Sequence, residues 1–256
     1  MSSRFFRAVM SAAAALLMIG AAAQAQTVEE HITKGEAFDK RFEAGEALKH
    51  YLAAEKLEPN NVRVLISIAR QYRHLAVDAA TKAEKVRLGR VALGYSQRAA
   101  VLGPNDAEAQ LSVAISHGKL LPLLPTKEQV DTSPRIKSAV DKTLRLEPKN
   151  DFAWHILGRW NRNLAEISGV KRALAGAIYG GLPKGSNADA ERALLKAIAL
   201  NPSRLMHYVE LGRVYAQMGR KDDARKSLQK GLAMPEVEKD DFETKARGRE
   251  ALQKLR

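Results

Sequence analysis

Apolar residues recur at intervals of three and four along most of the chain, and the pattern breaks at a recurring set of prolines. Before Pro59, Pro104 and Pro202 stands the same small/large/small series: Ala47, Tyr51, Ala54; Ala92, Ser96, Ala99; and Ala190, Leu194, Ala197. Intervals of four and three place each series on one helical face, where small side chains let a second helix come close. Before Pro148 the series is the looser Ile136, Val140, Thr143. A proline cannot continue a helix and constrains the residue before it, so each one marks a stop. The polar residue just beyond (Asn60, Asn105, Asn150 or Ser203) is expected to cap the next helix. The pattern thus predicts helical hairpins repeated along the chain.

The first helix after each stop has its own pattern. Trp154, Leu157 and Gly158 correspond to Tyr208, Leu211 and Gly212, with Tyr215 three residues on, and more loosely to Leu65, Ile68, Ala69 and Tyr72. These residues resemble the tetratricopeptide repeat, a hairpin of about 34 residues with an aromatic, a Leu-Gly pair and a Tyr in its first helix. The stretch "LGRVYAQMGRKDDARKSLQKGL" is its most specific match. The four prolines lie 45, 44 and 54 residues apart, which implies inserts of roughly 10, 10 and 20 residues beyond that unit. The expected fold is all-α, a tetratricopeptide-repeat solenoid of helical hairpins with extended inter-helix inserts. Its hairpins should cover about 27–59, 61–104, 106–148, 150–202 and 204–235, with a closing helix at 237–256, in one domain over 26–256.

The stretch "AWHILGRWNRNLAEISGVKRALAGAIYGGLPKGSNADAERALLKAIALNPSRLMHYVELGRVY" also resembles the regulator of microtubule dynamics family. The shared features are a Leu-Gly-x-Trp, an Ala-Glu before a basic amphipathic segment, a small-residue/Pro turn and a second repeat helix. "SPRIKSAVDKTLRLEPKND" is similar to the segment one repeat earlier. The resemblance is close over 107–256 and looser over 28–106. It implies a binding role: members are associated with microtubules, mitochondria and membrane contact sites, and a related repeat domain with phospholipid binding and transfer.

The first residues depart from that family. Arg4 and Arg7, an apolar run over 8–22 and Ala23-Gln24-Ala25 have the order of a cleaved secretory signal at 1–25. The run is shorter than the roughly 20 residues that span a bilayer, so no transmembrane anchor is expected after cleavage. The expected location is exported, periplasmic or secreted, and microtubule binding is not carried over. The chain has no cysteine, which excludes disulfides, thiolate metal sites and cysteine nucleophiles. Its net charge is +13, two units of it from the signal; such a balance favours acidic partners, and export argues against nucleic acid.

Candidate chemistry lies in two places. First-helix positions off the packing face should line a concave groove, and among them Arg63, Arg70, Arg73, Arg159, Arg162 and Arg213 stand against one acid, Glu108. The candidate ligand-binding residues are Arg70, Arg73, His74, His155, Arg159, Arg162 and Arg213, since guanidinium groups suit carboxylate or phosphate. The alternative is a solvated charged face, or for Arg159 an ion pair with the neighbouring hairpin. The second place is "SGVKRALAGAIYGGLPKG", residues 168–185, where Val170, Leu174, Ala177 and Ile178 share a helical face beside Lys171 and Arg172. Such a stripe can lie on a membrane or close over an acyl chain, with Leu174 and Ile178 as an apolar wall; alternatively it extends the first helix and packs on the second.

Enzymatic signatures are missing. The six histidines form no HExxH, and there is no P-loop, GxGxxG or GxSxG. Ser227-Leu-Gln-Lys230 lacks the companions its S-x-x-K pattern needs. Trp154 and Trp160 read as hairpin packing. No catalytic residue, metal or cofactor is expected. Two functions follow: an adaptor whose basic groove grips an acidic protein or peptide segment, or a lipid-binding or lipid-transfer protein holding an anionic phospholipid between the groove arginines and the 168–185 insert.

Overall fold

The computed structural model describes residues 27–255, so the expected signal lies outside the described residues. Among them every regular element is helical. The order is α1 (27–39), α2 (Ala44–Leu57), α3 (Val62–Asp78), α4 (Lys82–Leu102), α5 (Ala107–Leu120), a 3-10 turn at Leu121–Leu123, α6 (Thr126–Leu146), α7 (Asp151–Ala165), α8 (Gly169–Tyr179), α9 (Asn187–Leu200), α10 (Leu205–Gln217), α11 (Lys221–Ala233) and α12 (Asp241–Gln253).

Each proline stop starts the next helix in one register. The cap stands two residues after the proline, not one: Asn61, Asp106 and Asn150 accept from the backbone N–H of Val64, Ala109 and Ala153 at 3.2, 3.0 and 2.9 Å. At the first and third sites the cap amide also donates to the glutamate before the proline, Asn61 to Glu58 and Asn150 to Glu147, both at 2.8 Å. The expected caps Asn60, Asn105 and Ser203 are therefore corrected, because the proline and the residue after it are used in the turn. At the fourth stop the cap position holds Arg204, with no capping side chain.

The helices pack as α3 on α4, α5 on α6, α7 on α9 and α10 on α11, and each pair leans on the next. Val28 and Ile32 join α1 to α2 through Tyr51. The small/large/small series is the seam. Ala47, Ala54, Ala92, Ala99, Ala190, Leu194 and Ala197 are wholly buried. Two glycines allow the closest approaches: a Cβ at Gly158 would lie 2.5 Å from Leu194 Cγ, and one at Gly212 would lie 2.6 Å from Leu228 Cγ. Contact of that kind is how stacked hairpins share a core that none could bury alone.

The inserts take two forms. In the second and third hairpins they lengthen the second helix, so α4 and α6 each run 21 residues against 13 for α11. In the fourth they form the separate helix α8. At the far end the chain turns back. Asp241 Oδ2 accepts from the backbone N–H of Val237 and Glu238, both at 2.9 Å, which keeps 237–240 out of the closing helix and starts α12 at Asp241. This strap returns to much earlier elements: Lys239 meets Asp78 at 2.9 Å, Asp240 meets Lys119 at 2.6 Å and Glu238 meets Arg204 at 3.1 Å. α12 then packs on α10 and α11.

Candidate functional site

Between α5, α6, α7, α8 and α12 lies a cavity of about 930 Å³. Its wall includes Ile136, Ile156, Trp160 and Leu164, which belong to one buried apolar cluster. Trp160 both packs and lines the cavity; its Nε1–H donates to the Ser133 carbonyl at 3.0 Å, which fixes the ring against α6. Trp154 has no such place: it reaches back to the Pro148 carbonyl at 2.9 Å, as Tyr208 Oη does to Pro202 at 3.0 Å.

The opposite wall is α8. Helix α7 ends at Ala165, and Ser168 Oγ accepts from Lys171 N at 3.4 Å to start a new helix. The extended first helix weighed above does not form, and the stripe is not packed on α9. Leu174 and Ile178 line the cavity and remain 58% and 57% exposed. The insert is held instead through Arg172, whose guanidinium donates to the carbonyls of Leu164 at 2.8 Å, Pro183 at 2.9 Å and Leu182 at 3.4 Å. That tie is possible because the chain reverses at Gly180 and Gly181, both at positive φ where a side chain would be strained.

The groove cations fall into different settings. Arg162 is buried, its Nε 2.6 Å from Glu210 Oε1. Arg213 Nη1 lies 2.9 Å from Glu210 Oε2, and Arg159 Nε lies 3.9 Å from it. Burial pushes the Glu210 carboxyl up, but the guanidinium groups of Arg162, Arg213 and Arg159 outweigh it and hold the group well below the usual carboxylate range. The expected row of arginines against one acid is corrected here: Arg162 is an internal ion-pair partner. Arg159 and Arg213 are partly exposed and line the cavity, joined from α12 by Arg247 and from α8 by Lys171. Arg247 donates to Glu243 at 3.0 Å and Thr244 at 3.0 Å, while its Nε is buried without a partner. The sequence carries no sign of Arg247, because only the return of the strap brings α12 here.

His155 also borders this cavity, buried against His207, with the two Nδ1 atoms 3.1 Å apart. His207 Nε2 lies 2.9 Å from Asp151 Oδ2. With Nε2–H donating to that carboxylate, His207 Nδ1 accepts from His155 Nδ1–H, and burial beside His207 lowers the His155 pKa well below its ordinary value.

Arg70, Arg73 and His74 lie apart, around a second cavity of about 490 Å³ bordered by the strap. Arg70 pairs with Asp39 at 3.2 Å. Arg73 is buried and donates to Ser112 at 3.1 Å and Ser116 at 3.0 Å, and burial lowers its pKa to about 10. Here acids are as prominent as bases, with Asp39, Glu108, Asp151, Glu238 and Asp240 in the wall. The seven candidate residues thus border two cavities rather than one continuous basic groove.

The regulator of microtubule dynamics protein 1 of Caenorhabditis elegans is 28% identical over 160 residues, which are 62% of this chain and 71% of that protein. The regulator 2 of Bos taurus is 21% identical over 159 residues, and the chain spans 39% of its length. Among solved structures, a thermophilic tetratricopeptide-repeat protein from Thermus thermophilus superposes with a TM-score of 0.63 at 18% identity, covering 88% of this chain and 99% of that one. This likeness shows the fold: an all-helical tetratricopeptide solenoid. The family described as "Regulator of microtubule dynamics protein 1-3" matches residues 30–256, and this chain belongs to it.

Proposed function

We propose that the chain is an exported, non-enzymatic binding protein that takes up an elongated apolar molecule with an anionic head, such as an anionic phospholipid. The observation that carries this reading is the cavity of about 930 Å³, with apolar walls from α6, α7 and α8 and with Arg159, Arg213, Arg247 and Lys171 also lining it. Its size is that of a small-molecule site, typically about 300–1,000 Å³. Arg247 Nε, buried without a partner, supports the same reading, because an acidic head would satisfy it. The tetratricopeptide fold is also consistent with a protein-binding adaptor. In that second reading an acidic peptide would lie beside Arg70 and Arg73, where the protein's own strap, with Glu238 and Asp240, now stands.

The test uses protein recovered from an exported fraction, whose N-terminus should read from Gln26. Organic extraction of it should yield a phospholipid or fatty acid near one per chain. Replacing Leu174 and Ile178 together by Ser should weaken binding of a fluorescent fatty acid at least tenfold and leave the melting temperature unchanged, as both side chains are more than half exposed. A protein that yields no lipid, and whose double variant melts lower without losing binding, would refute the cavity as a site.

A further inference from the structure

We propose that the exposed apolar stripe of α8, at the edge of the cavity, is a docking surface for an anionic lipid bilayer. Val170, Leu174 and Ile178 follow one another at intervals of four and are 80%, 58% and 57% exposed. Among the residues of this helix whose side chains are described, Ala175 alone is buried, and α8 packs closely on none of the other described helices. An apolar stripe left this bare in water costs free energy unless something covers it.

Charge selects the occupant. From 167 to 188 the chain carries Lys171, Arg172 and Lys184 and no acid. Arg172 is committed to three carbonyls, which leaves Lys171 exposed on the helix and Lys184 exposed in the loop that follows it. A short helix with apolar residues on one side and basic residues flanking it settles about 5–10 Å into the headgroup boundary, and anionic lipid strengthens the attachment. A protein partner fits less well, because a stable interface takes about 20–30 residues a side and this stripe offers three large side chains. The stripe is also continuous with the cavity: Leu174 and Ile178 belong to both. Docking through α8 would set the cavity beside the bilayer, where an apolar ligand can pass without crossing water. That last step rests on the cavity reading; the docking surface does not.

Val170 and Lys184 are exposed and lie outside the cavity wall, so V170E/K184E separates docking from ligand uptake. The chain from Gln26 onward should co-sediment with vesicles of phosphatidylcholine and phosphatidylglycerol and much less with phosphatidylcholine alone. The double variant should lose at least tenfold in partitioning, and 0.5 M salt should weaken the wild type. Helicity and binding of a soluble fluorescent fatty acid should stay unchanged in the variant. Equal sedimentation of the two proteins overturns the proposal, as does a vesicle-free self-association of the wild type that V170E/K184E abolishes, which would make α8 a contact between copies. Vesicle binding that is intact in a protein unable to hold fatty acid would sink the cavity reading alone.

Discussion

At the scale of single residues, Glu210 decides how the arginines are to be read. Counting groove positions along each first helix passes over Glu210, which lies one residue beyond Val209 on the same helix and turns inward to 3% exposure. One helical position separates a carboxylate in water from one enclosed by Arg162, Arg213 and Arg159. Replacing Arg162 by Ala would leave that buried charge without its 2.6 Å partner. Removing one member of a buried pair typically costs about 3–5 kcal/mol. R162A should therefore lower the melting temperature strongly. R159A, at 3.9 Å and with a side chain 35% exposed, should cost under about 1 kcal/mol and weaken ligand binding instead. Thermal melts of the two variants check this: similar curves for both would mean that Glu210 is held by Arg213 alone.

At the scale of helices, the hairpins were legible because their determinants are local. A proline, a polar cap and a small/large/small face lie within about fifteen residues of one another, and each acts through its own helix and the next. The cap register held at Asn150 and missed by one residue at Asn60 and Asn105, because the turn itself uses two residues. Arg204 shows why a local rule is given up at one stop: from the cap position it reaches Asp151 at 3.2 Å and Glu238 of the strap at 3.1 Å. The strap was not legible, since its partners Asp78 and Lys119 stand more than a hundred residues earlier. It adds to a solenoid what nearest-neighbour stacking lacks, a contact between distant units. Truncation after Met234 should consequently speed amide hydrogen exchange near Asp78 and Lys119 as well as in α10 and α11. Without the strap's influence, protection at the ends of α3 and α5 would stay as in the full chain.

Across the whole molecule, several histidines are enclosed while neutral, and this couples the fold to pH. Burial lowers His74 and His117 to about 4, with Asp39 opposing it at His74 and Arg135 adding to it at His117. Burial lowers His155 well below its ordinary value, with His207 adding to the effect, and lowers His207 against the pull of Asp151. The ordinary value is about 6.5, so the unfolded chain takes up protons below it that the folded chain refuses. The stability these groups contribute is complete above about pH 6.5 and is lost as pH falls from there towards the folded values. By pH 5.5 the loss is about 1.4 kcal/mol for each histidine that stays neutral in the fold. The four come from α3, α5, α7 and α10, so the effect is spread over the solenoid and reaches the cavity wall through His155. Urea unfolding at pH 7.5 and 5.5 should show a drop of at least the shares of His74 and His117, about 1.4 kcal/mol each, with His155 and His207 acting in the same direction, and His117→Gln should reduce that drop by its own share. Equal stability at the two pH values would mean that these imidazoles reach solvent in the folded chain and that the hairpins open around them.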